Sequence, residues 1–215
     1  MKITILCSSP EHPVNSRLKA WSARQAARHD VALVRRIEEA RGGDILFLIS
    51  CTEIVRADDR ARYGATLVIH ASDLPRGRGW SPHVWQILEG RDEIVVTLLD
   101  AADAVDTGDI WHQERCPIPR TALWDEINDR IFDAELRLMD WAVDNLPTAI
   151  PRPQDAAIAP SYYPRRSPAD GAINPDTTFA QAFDAIRVAD PVRFPAHVRI
   201  RGRTYAIELR RLEDE

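Results

Sequence analysis

The apolar positions of this chain fall into short runs that are separated by amphipathic or polar stretches. The runs predict buried strands over residues 2–7, 30–34, 44–50, 66–70 and 93–99. Between them, helices are predicted from Asn15 or Ser16 to about residue 29, over 56–63 and over 81–89. Strands that alternate with helices are typical of an α/β domain with a mostly parallel sheet, and we expect that architecture here.

The longest helical pattern covers residues 121–145. Its apolar side chains fall near one face: Leu123, Ile127, Ile131, Leu138 and Trp141. Six prolines follow between positions 147 and 168 and predict an extended linker, because proline breaks helices and cannot donate within a sheet. Beyond them, Thr178 can cap a helix to about residue 188, and a pair of strands is predicted near 196–200 and 204–209. The predicted organisation is a main domain over 1–146, a linker over 147–168 and a small α+β appendage, a helix plus a β-hairpin, over 169–215.

Composition narrows the class of protein. With 215 residues, 45% of them hydrophobic, and a mean hydropathy of -0.31, the chain can bury one sizeable core and has no run long enough to span a bilayer. The 28 basic and 33 acidic residues leave a net charge of -5, which disfavours nucleic acid as a partner. The three cysteines form no CxxC pair and no signal peptide is apparent, so we expect a cytoplasmic protein with reduced thiols. The histidines lack metal-ligand spacing, and no metal is expected.

Polar side chains follow several of the predicted strands. His70 ends the fourth strand, Ser72 comes shortly after it, and Asp106 lies in the acidic segment after the fifth strand. Ligands of open α/β sheets bind at the carboxyl ends of the strands, so we expect a histidine and carboxylates to converge there, as general acid–base chemistry requires. Both main candidates have a structural alternative: His70 can simply be hydrogen-bonded, and Asp106 can shape a turn.

A longer pattern covers residues 66–113, which read TLVIHASDLPRGRGWSPHVWQILEGRDEIVVTLLDAADAVDTGDIWHQ. This segment resembles the signature region of the folate-dependent formyltransferases, which include glycinamide ribonucleotide, methionyl-tRNA and sugar N-formyltransferases. The matching positions are His70, Ser72, Leu74, Pro75, Arg78, Gly79, Pro82, Val96, Thr97, Asp106, Gly108 and Ile110. Residues 163–173 are similar to the segment that follows the catalytic domain in the sugar and methionyl-tRNA members.

The resemblance implies a Rossmann-like formyltransferase fold and 10-formyltetrahydrofolate as the formyl donor. In that reaction, the matched His70 would polarise the formyl group and shuttle a proton. The matched Asp106 would orient His70 and accept the proton of the attacking amine. The folate would lie against two segments of the chain: Glu53, Ile54 and Val55, and Ala102, Asp103, Ala104 and Val105.

One position departs from the family pattern. The family has a catalytic asparagine two residues before the histidine, and this chain has Val68 there. Residues two apart on a strand share a face, so Val68 and His70 point the same way, but valine has no donor for the formyl oxygen. The loss of one such donor typically costs about 2.7–4 kcal/mol of transition-state stabilisation. Ser72 is one candidate to replace it, and Thr52 or a backbone N–H is another.

The resemblance is strongest to the sugar-type members and implies a small-molecule amine substrate, most naturally a nucleotide-linked amino sugar. Methionyl-tRNA members carry a further basic domain that these 215 residues do not show, and the net charge of -5 also disfavours tRNA. Substrate-binding residues are predicted in two places: Ser9, His12 and Asn15 before the first helix, and Arg78 and Trp80 after the fourth strand. The first three can alternatively act only as caps and turn formers.

Two other functions stay open at this point. The chain can be a hydrolase that releases formate from 10-formyltetrahydrofolate, with water in place of the amine. It can also be a catalytically degenerate folate-binding protein, which Val68 would explain. Sugar-type members are often dimers, so the resemblance implies a homodimer, and neither a membrane nor nucleic acid is expected as a partner.

Overall fold

The computed structural model of the protein describes residues 1–212 and is built around a six-stranded sheet. The strands are β1 (Lys2–Leu6), β2 (Asp30–Val34), β3 (Gly43–Leu48), β4 (Tyr63–His70), β5 (Arg78–Gly79), β6 (Glu93–Asp100), β7 (Ile110–Pro117), β8 (Tyr162–Tyr163), β9 (Ala172–Ile173), β10 (Ala196–Ile200) and β11 (Arg203–Ile207). The helices are α1 (Asn15–Gln25), α2 (Ala57–Arg60), α3 (Pro82–Leu88), α4 (Trp124–Asn145) and α5 (Phe179–Arg187). The main sheet has the order β2-β1-β3-β4-β6-β7, and its first four strands are parallel. The predicted α/β architecture with a mostly parallel sheet is therefore confirmed.

The last two strands of the sheet reverse its direction. β6 runs antiparallel to β4, and β7, which is missing from the predicted elements, runs antiparallel to β6. The sequence of β7 is mostly polar and only Ile110 and Cys116 are buried, so no apolar run marks it. Because β6 is antiparallel to β4, its carboxyl end does not lie beside that of β4: Asp100, the last residue of β6, pairs with Leu67, whereas His70 pairs with Thr97.

The main core lies on one face of the sheet. Ile5, Phe47 and Leu67 of the strands are fully buried there, against Trp21 of α1 and Leu138 of α4. In α4 the predicted apolar face is present. Its buried members include Ile127, Ile131 and Leu138, and Trp141 is half-buried.

The opposite face carries a smaller apolar cluster that includes Leu6, Leu46 and Leu48. Because side chains alternate across a strand, Val68 and His70 project from this face, while Leu67 and Ile69 point into the main core. Short segments cover this face, among them the 3-10 helix Ile37–Glu39 and the stretch around Val55. Loops rather than long helices therefore surround His70.

The Pro-rich segment runs along the sheet rather than away from it. Arg152 forms an antiparallel bridge with Ile110 at the start of β7, and β8 pairs in parallel with β5. Farther on, Thr178 is the N-cap of α5 and accepts a hydrogen bond from the Gln181 amide, as predicted. The predicted hairpin is formed by β10 and β11. The division into domains stays a prediction, and residues 213–215 of the predicted appendage lie outside the described residues.

Within residues 1–212, no helix combines the length and the apolar character needed to cross a bilayer.

The main core contains a carboxyl side chain. Glu135 of α4 is 9% exposed, and its Oε2 has no hydrogen-bond partner among the described residues. Burial raises the pKa of Glu135 to about 8, because a carboxylate loses its hydration in an apolar surrounding.

We expect the substitution Glu135→Gln to remove a pH dependence of stability. The pKa of Glu135 in the folded state, about 8, lies above its ordinary value of 4.5. The folded state therefore binds more protons than the unfolded state between these values, and the wild-type protein loses stability as the pH rises through this range. Glutamine stays neutral at all these pH values. The unfolding free energy of the variant, relative to that of the wild type, should therefore increase with rising pH by on the order of a few kcal/mol.

Urea denaturation at pH 5 and pH 8 measures this difference. Asp144→Asn, at an exposed acid of the same helix, is the control and should show no comparable change. A stability difference between Glu135→Gln and the wild type that is the same at both pH values would contradict the burial argument.

Candidate active site

His70 is the last residue of β4, and its side chain is only 8% exposed. Its Nε2 lies 2.8 Å from the carbonyl oxygen of Gly77. A carbonyl oxygen can only accept, so Nε2 carries a hydrogen and donates it to Gly77. In a neutral ring the lone pair is then on Nδ1.

Asp106 faces that nitrogen. One carboxylate oxygen, Oδ1, lies 3.6 Å from Nδ1 of His70, and the other, Oδ2, accepts a hydrogen bond of 2.8 Å from the amide of Gly79. The Asp106 side chain is 6% exposed. The loop of residues 101–109 thus turns back from the end of β6 to the end of β4 and brings together the two residues that were singled out from the sequence.

The arrangement of the pair has a direct chemical consequence. When the imidazole is neutral and Asp106 is ionised, Nδ1 and Oδ1 both present lone pairs to the same small space. Two acceptors that face each other are stabilised by a proton or a donor group placed between them. The pair can therefore take up one proton from a group that enters this space, which is the property of a general base.

The Asp-Thr-Gly sequence also shapes the backbone of this loop. Asp106 has a φ of +57°, in the left-handed region, and the Thr107 hydroxyl donates to the carbonyl of Ala104. A Cβ atom on Gly108 would lie 1.9 Å from the carbonyl oxygen of Asp100, so only glycine fits there. The turn-forming role that the sequence left open for Asp106 is present together with its contact to His70.

Val68 stands where the family has its asparagine, and Ser72 is a candidate to replace the missing donor. Val68 is half-buried and packs against Leu74, Leu99 and Ile110, so its side chain joins an apolar cluster. The hydroxyl of Ser72 is buried and has no hydrogen-bond partner in the described part of the chain. It lies beside Gly77, the residue whose carbonyl holds His70. Ser72 is therefore a free hydroxyl near the imidazole, and its catalytic role stays a prediction.

The two predicted folate-binding segments lie on either side of Arg60. The Arg60 guanidinium donates to the carbonyl of Val55 over 2.8 Å and forms an ion pair with Asp103. Glu53 accepts a hydrogen bond from the amide of Ile37, and Val55 is buried in the smaller cluster. Ala102 and Ala104 are exposed in the opposite segment.

Ile54 and Val105 differ from their neighbours in these segments, since they are apolar and strongly exposed, at 85% and 68%. Exposed aliphatic side chains beside backbone hydrogen-bonding groups can receive a flat heterocycle. The chemical character of both segments therefore fits the proposed folate.

The loop before α1 is ordered by its own side chains. The Asn15 amide donates to the carbonyls of Ser9, Pro10 and His12, and its oxygen accepts from Arg35. These contacts use the amide group of Asn15 and favour the alternative that it organises the loop. Binding of a substrate by Ser9 and His12 stays a prediction.

Two further histidines stay neutral near the candidate site. Burial lowers the pKa of His12 to about 4, with a smaller lowering by the Arg193 charge. Burial likewise lowers the pKa of His83 to about 4, with smaller contributions from the neighbouring charges of His12 and His70. Among the described residues, no group of three or more His, Cys, Asp or Glu side chains is placed to hold a metal ion.

Arg78 and Trp80 lie on the ribbon formed by β5 and β8. The Arg78 guanidinium donates to the Tyr162 hydroxyl and lies 5.8 Å from the centre of that ring. Trp80 is 42% exposed, and the guanidinium of Arg165 lies 4.9 Å from its ring centre. None of these arginines has a carboxylate partner among the ion pairs of residues 1–212. The ribbon therefore presents aromatic rings and unpaired positive charge beside Asp106.

Sequence analysis missed two residues of the site, Gln154 and Ser161. Both lie in the predicted linker, where no motif or spacing marks them. The Gln154 amide donates to the carbonyls of Asp106 and Gly108 and accepts from Arg78. The Ser161 hydroxyl accepts from the amide of Gly77 over 2.8 Å. The Pro-rich segment is thus part of the wall of the site.

Gly79 should be far less tolerant of substitution than Gly90. Both glycines have positive φ values, +99° and +86°, so Gly→Ala carries a conformational penalty of about 1–2 kcal/mol at each. A Cβ at Gly79 would also lie 2.4 Å from the carbonyl oxygen of Tyr163, whereas a Cβ at Gly90 meets nothing within 4 Å. We expect Gly79→Ala to cost about 1–3 kcal/mol more than Gly90→Ala in urea denaturation. Equal losses would show that β5 and β8 do not approach as closely as described.

Comparison with known proteins places this geometry in a family. The formyl transferase family model matches residues 6–143, more than half of the chain. A methionyl-tRNA formyltransferase from Moorella thermoacetica is 34% identical over 125 residues, which are 57% of this chain and 40% of that protein. A methionyl-tRNA formyltransferase from Citrifermentans bemidjiense is 32% identical over 150 residues, 67% of this chain and 46% of that protein. The chain thus spans less than half the length of these curated relatives.

Solved structures show the same fold. A methionyl-tRNA formyltransferase from Clostridium thermocellum superposes with a TM-score of 0.83 at 18% identity, over 99% of this chain and 94% of that one. HypX from Aquifex aeolicus, in complex with tetrahydrofolic acid, gives 0.81 at 19% identity over 97% of this chain and 37% of its own. A sugar N-formyltransferase from Shewanella sp. gives 0.73 at 17% identity over 100% and 99%. The Rossmann-like fold implied by the sequence is therefore confirmed, and the chain belongs to the formyl transferase family.

Proposed function

We propose that the protein transfers a formyl group from 10-formyltetrahydrofolate to the amine of a small substrate, a nucleotide-linked amino sugar. The observation that carries this proposal is the buried pair of His70 and Asp106, with 3.6 Å between Nδ1 and Oδ1, at the end of β4. Family membership supports formyl transfer as the reaction class. The tetrahydrofolate complex of HypX, which shares the fold, supports a folate as the donor.

The folate, when bound, supplies an activated formyl group to the site. Ile54 and Val105 would flank its flat ring system, because both are apolar and strongly exposed. Arg60 joins the two segments that carry these side chains, through the Val55 carbonyl and the Asp103 carboxylate. The second of these segments ends next to Asp106, so a ring held between the two segments would lie close to the pair.

His70 and Asp106 would act on the amine. An amine that attacks a carbonyl carbon must lose a proton, and the facing lone pairs of Nδ1 and Oδ1 can accept it. The Nε2 hydrogen of His70 is already donated to Gly77, so the imidazole is better placed to accept a proton on Nδ1 than to polarise the formyl oxygen through Nε2. This refines the role that the sequence resemblance implies for His70.

The acceptor of the formyl group would bind along the β5–β8 ribbon. Trp80 and Tyr162 offer exposed rings for stacking, and Arg78 and Arg165 offer positive charge for phosphates. The fold shared with the Shewanella sugar N-formyltransferase supports an amino sugar as the amine, as the fold shared with the Clostridium thermocellum enzyme supports methionyl-tRNA. The curated relatives act, by their names, on methionyl-tRNA, and this is the second candidate acceptor, although a net charge of -5 disfavours it.

His70→Ala and Asp106→Asn should each lower kcat for formyl transfer by roughly a hundred- to ten-thousandfold while folate binding persists, because both variants remove the proton acceptor and leave Ile54 and Val105 in place. The measurement is mass gain of a panel of nucleotide-linked amino sugars and of methionyl-tRNA, with 10-formyltetrahydrofolate as donor. Tetrahydrofolate binding by fluorescence titration is the control for each variant.

Other outcomes of the same assay decide against the proposal. Formate release without any added amine would assign the protein as a 10-formyltetrahydrofolate hydrolase. Tight folate binding without turnover on any acceptor would identify a degenerate binding protein. Full activity of Asp106→Asn would remove the pair from the mechanism.

Val68→Asn should raise the rate of formyl transfer. An amide at this position, on the same face as His70, would supply a donor for the formyl oxygen that valine lacks, and one such donor is worth roughly a hundred- to a thousandfold in kcat. Val68→Leu is the matched control, because leucine has nearly the same shape as asparagine but no hydrogen to donate and no charge.

An increase in kcat for Val68→Asn but not for Val68→Leu would support the missing donor as the limit on the rate. No increase for Val68→Asn, in a folded variant that binds folate, would contradict it and would direct attention to the free hydroxyl of Ser72.

A further inference from the structure

Gln154 connects three parts of the candidate site that are far apart in the sequence. Its Nε2 donates to the carbonyl of Asp106 over 2.8 Å and to the carbonyl of Gly108 over 3.0 Å. Its Oε1 accepts a hydrogen bond of 2.6 Å from Nη2 of Arg78. The orientation of the amide is unambiguous, because a flipped amide would place its oxygen against two carbonyl oxygens and its NH2 group against a guanidinium.

The position of Gln154 along the chain is fixed by backbone pairing. The amide of Ile110 donates to the carbonyl of Arg152 over 2.7 Å, and the amide of Arg152 donates back over 2.9 Å. This bridge sets the register of the Pro-rich segment against the start of β7. Gln154, two residues further along, is thereby delivered to the outside of the 106–108 turn.

The turn at Asp106 needs external support. A residue other than glycine at a φ of +57° is in a sparsely populated conformation, and such conformations persist only where the surroundings fix them. Within residues 1–212, three side-chain contacts fix Asp106 from outside its own loop. The Gly79 amide holds the carboxylate, His70 faces it, and Gln154 holds the backbone carbonyl.

We propose that Gln154 is a positioning residue for Asp106, which keeps the carboxylate directed at Nδ1 of His70. This inference rests on the proposed function for its kinetic meaning. Gln154 acts through the backbone of the turn and touches no reacting atom. The second contact, to Arg78, links this turn to the ribbon on which the acceptor is proposed to bind.

Two substitutions separate the contacts of Gln154. Gln154→Ala removes all three hydrogen bonds. Gln154→Glu keeps an acceptor for Arg78 but replaces the donor by an oxygen that faces the carbonyls of Asp106 and Gly108. If Gln154 acts by positioning Asp106, both variants should lower kcat by roughly tenfold to a hundredfold, as misplacement of a catalytic group does, with KM for the acceptor changed less than kcat.

The double variant Asp106→Asn/Gln154→Ala distinguishes positioning from a general structural role. In that background, Gln154→Ala should cause no further loss of kcat, because the group that it positions is already gone. Gln25→Ala is the control. The Gln25 amide donates to the Asp140 carboxylate over 2.8 Å and lies at the end of α1, away from the 106–108 turn, so its loss should leave kcat within about twofold.

Hydrogen–deuterium exchange supplies a readout that needs no activity. Exchange in residues 101–109 and at the Gly79 amide should increase in Gln154→Ala and Gln154→Glu and not in Gln25→Ala, because the Gly79 amide is protected by the Asp106 carboxylate. Wild-type kcat in Gln154→Glu, or unchanged exchange in both Gln154 variants, would overturn the inference while leaving formyl transfer in place. If exchange increases in the Gln154 variants but the wild-type protein transfers formyl to no acceptor, the proposed function has failed and the contacts of Gln154 are purely structural.

Discussion

The site depends on one short stretch of backbone, the turn from Gly77 to Gly79. His70 donates from Nε2 to the carbonyl of Gly77, and Asp106 accepts at Oδ2 from the amide of Gly79. The two side chains are therefore aligned by groups only two residues apart, although one comes from β4 and the other from a loop beyond β6. The turn binds Nε2 of His70 and Oδ2 of Asp106. The remaining atom of each group, Nδ1 of His70 and Oδ1 of Asp106, faces the other side chain. A shift of this turn would move both members of the pair at once.

The conformation of residues 77–79 depends on the Pro-rich segment. The Ser161 hydroxyl accepts from the amide of Gly77, β8 pairs with β5, and the carbonyl of Tyr163 comes so close to Gly79 that no side chain fits between them. A segment with six prolines has few backbone donors, so it cannot form a long ladder in a sheet. It attaches instead through isolated bridges and side chains such as Gln154, which leaves its backbone extended around the rim of the site. The sequence property that predicts a linker is thus compatible with a segment that closes the site.

Local pattern was sufficient to predict these strands and helices, because each of β1, β3, β4 and β6 contains a buried apolar run and α4 has a continuous apolar face. β2 is apolar from Val31 to Val34, although only Val34 is buried. β7 could not be predicted in this way, since its side chains are mostly polar and its strand character comes from pairing with β6. His70 and Asp106 were found through their spacing within a longer pattern. Gln154 could not be found, because its role depends on the bridge between Arg152 and Ile110, a contact for which a local sequence has no signal.

In the proposed reaction, the chemistry of these residues is weighted toward the amine. The donor hydrogen of His70 is held by a carbonyl, and Val68 places an apolar side chain where the family pattern has an amide. Both features remove donors from the neighbourhood of a formyl oxygen, while the facing lone pairs of Nδ1 and Oδ1 form an acceptor for a proton. In the proposed reaction, the barrier would therefore be lowered mainly by deprotonation of the attacking amine, and charge on the formyl oxygen would have weaker support. In the proposed reaction, such a site favours a nucleophile that has a proton to lose, and it needs a rigidly held carboxylate to receive that proton. The turn that fixes Asp106 therefore matters more in this reaction than it would in a site with a full set of oxyanion donors.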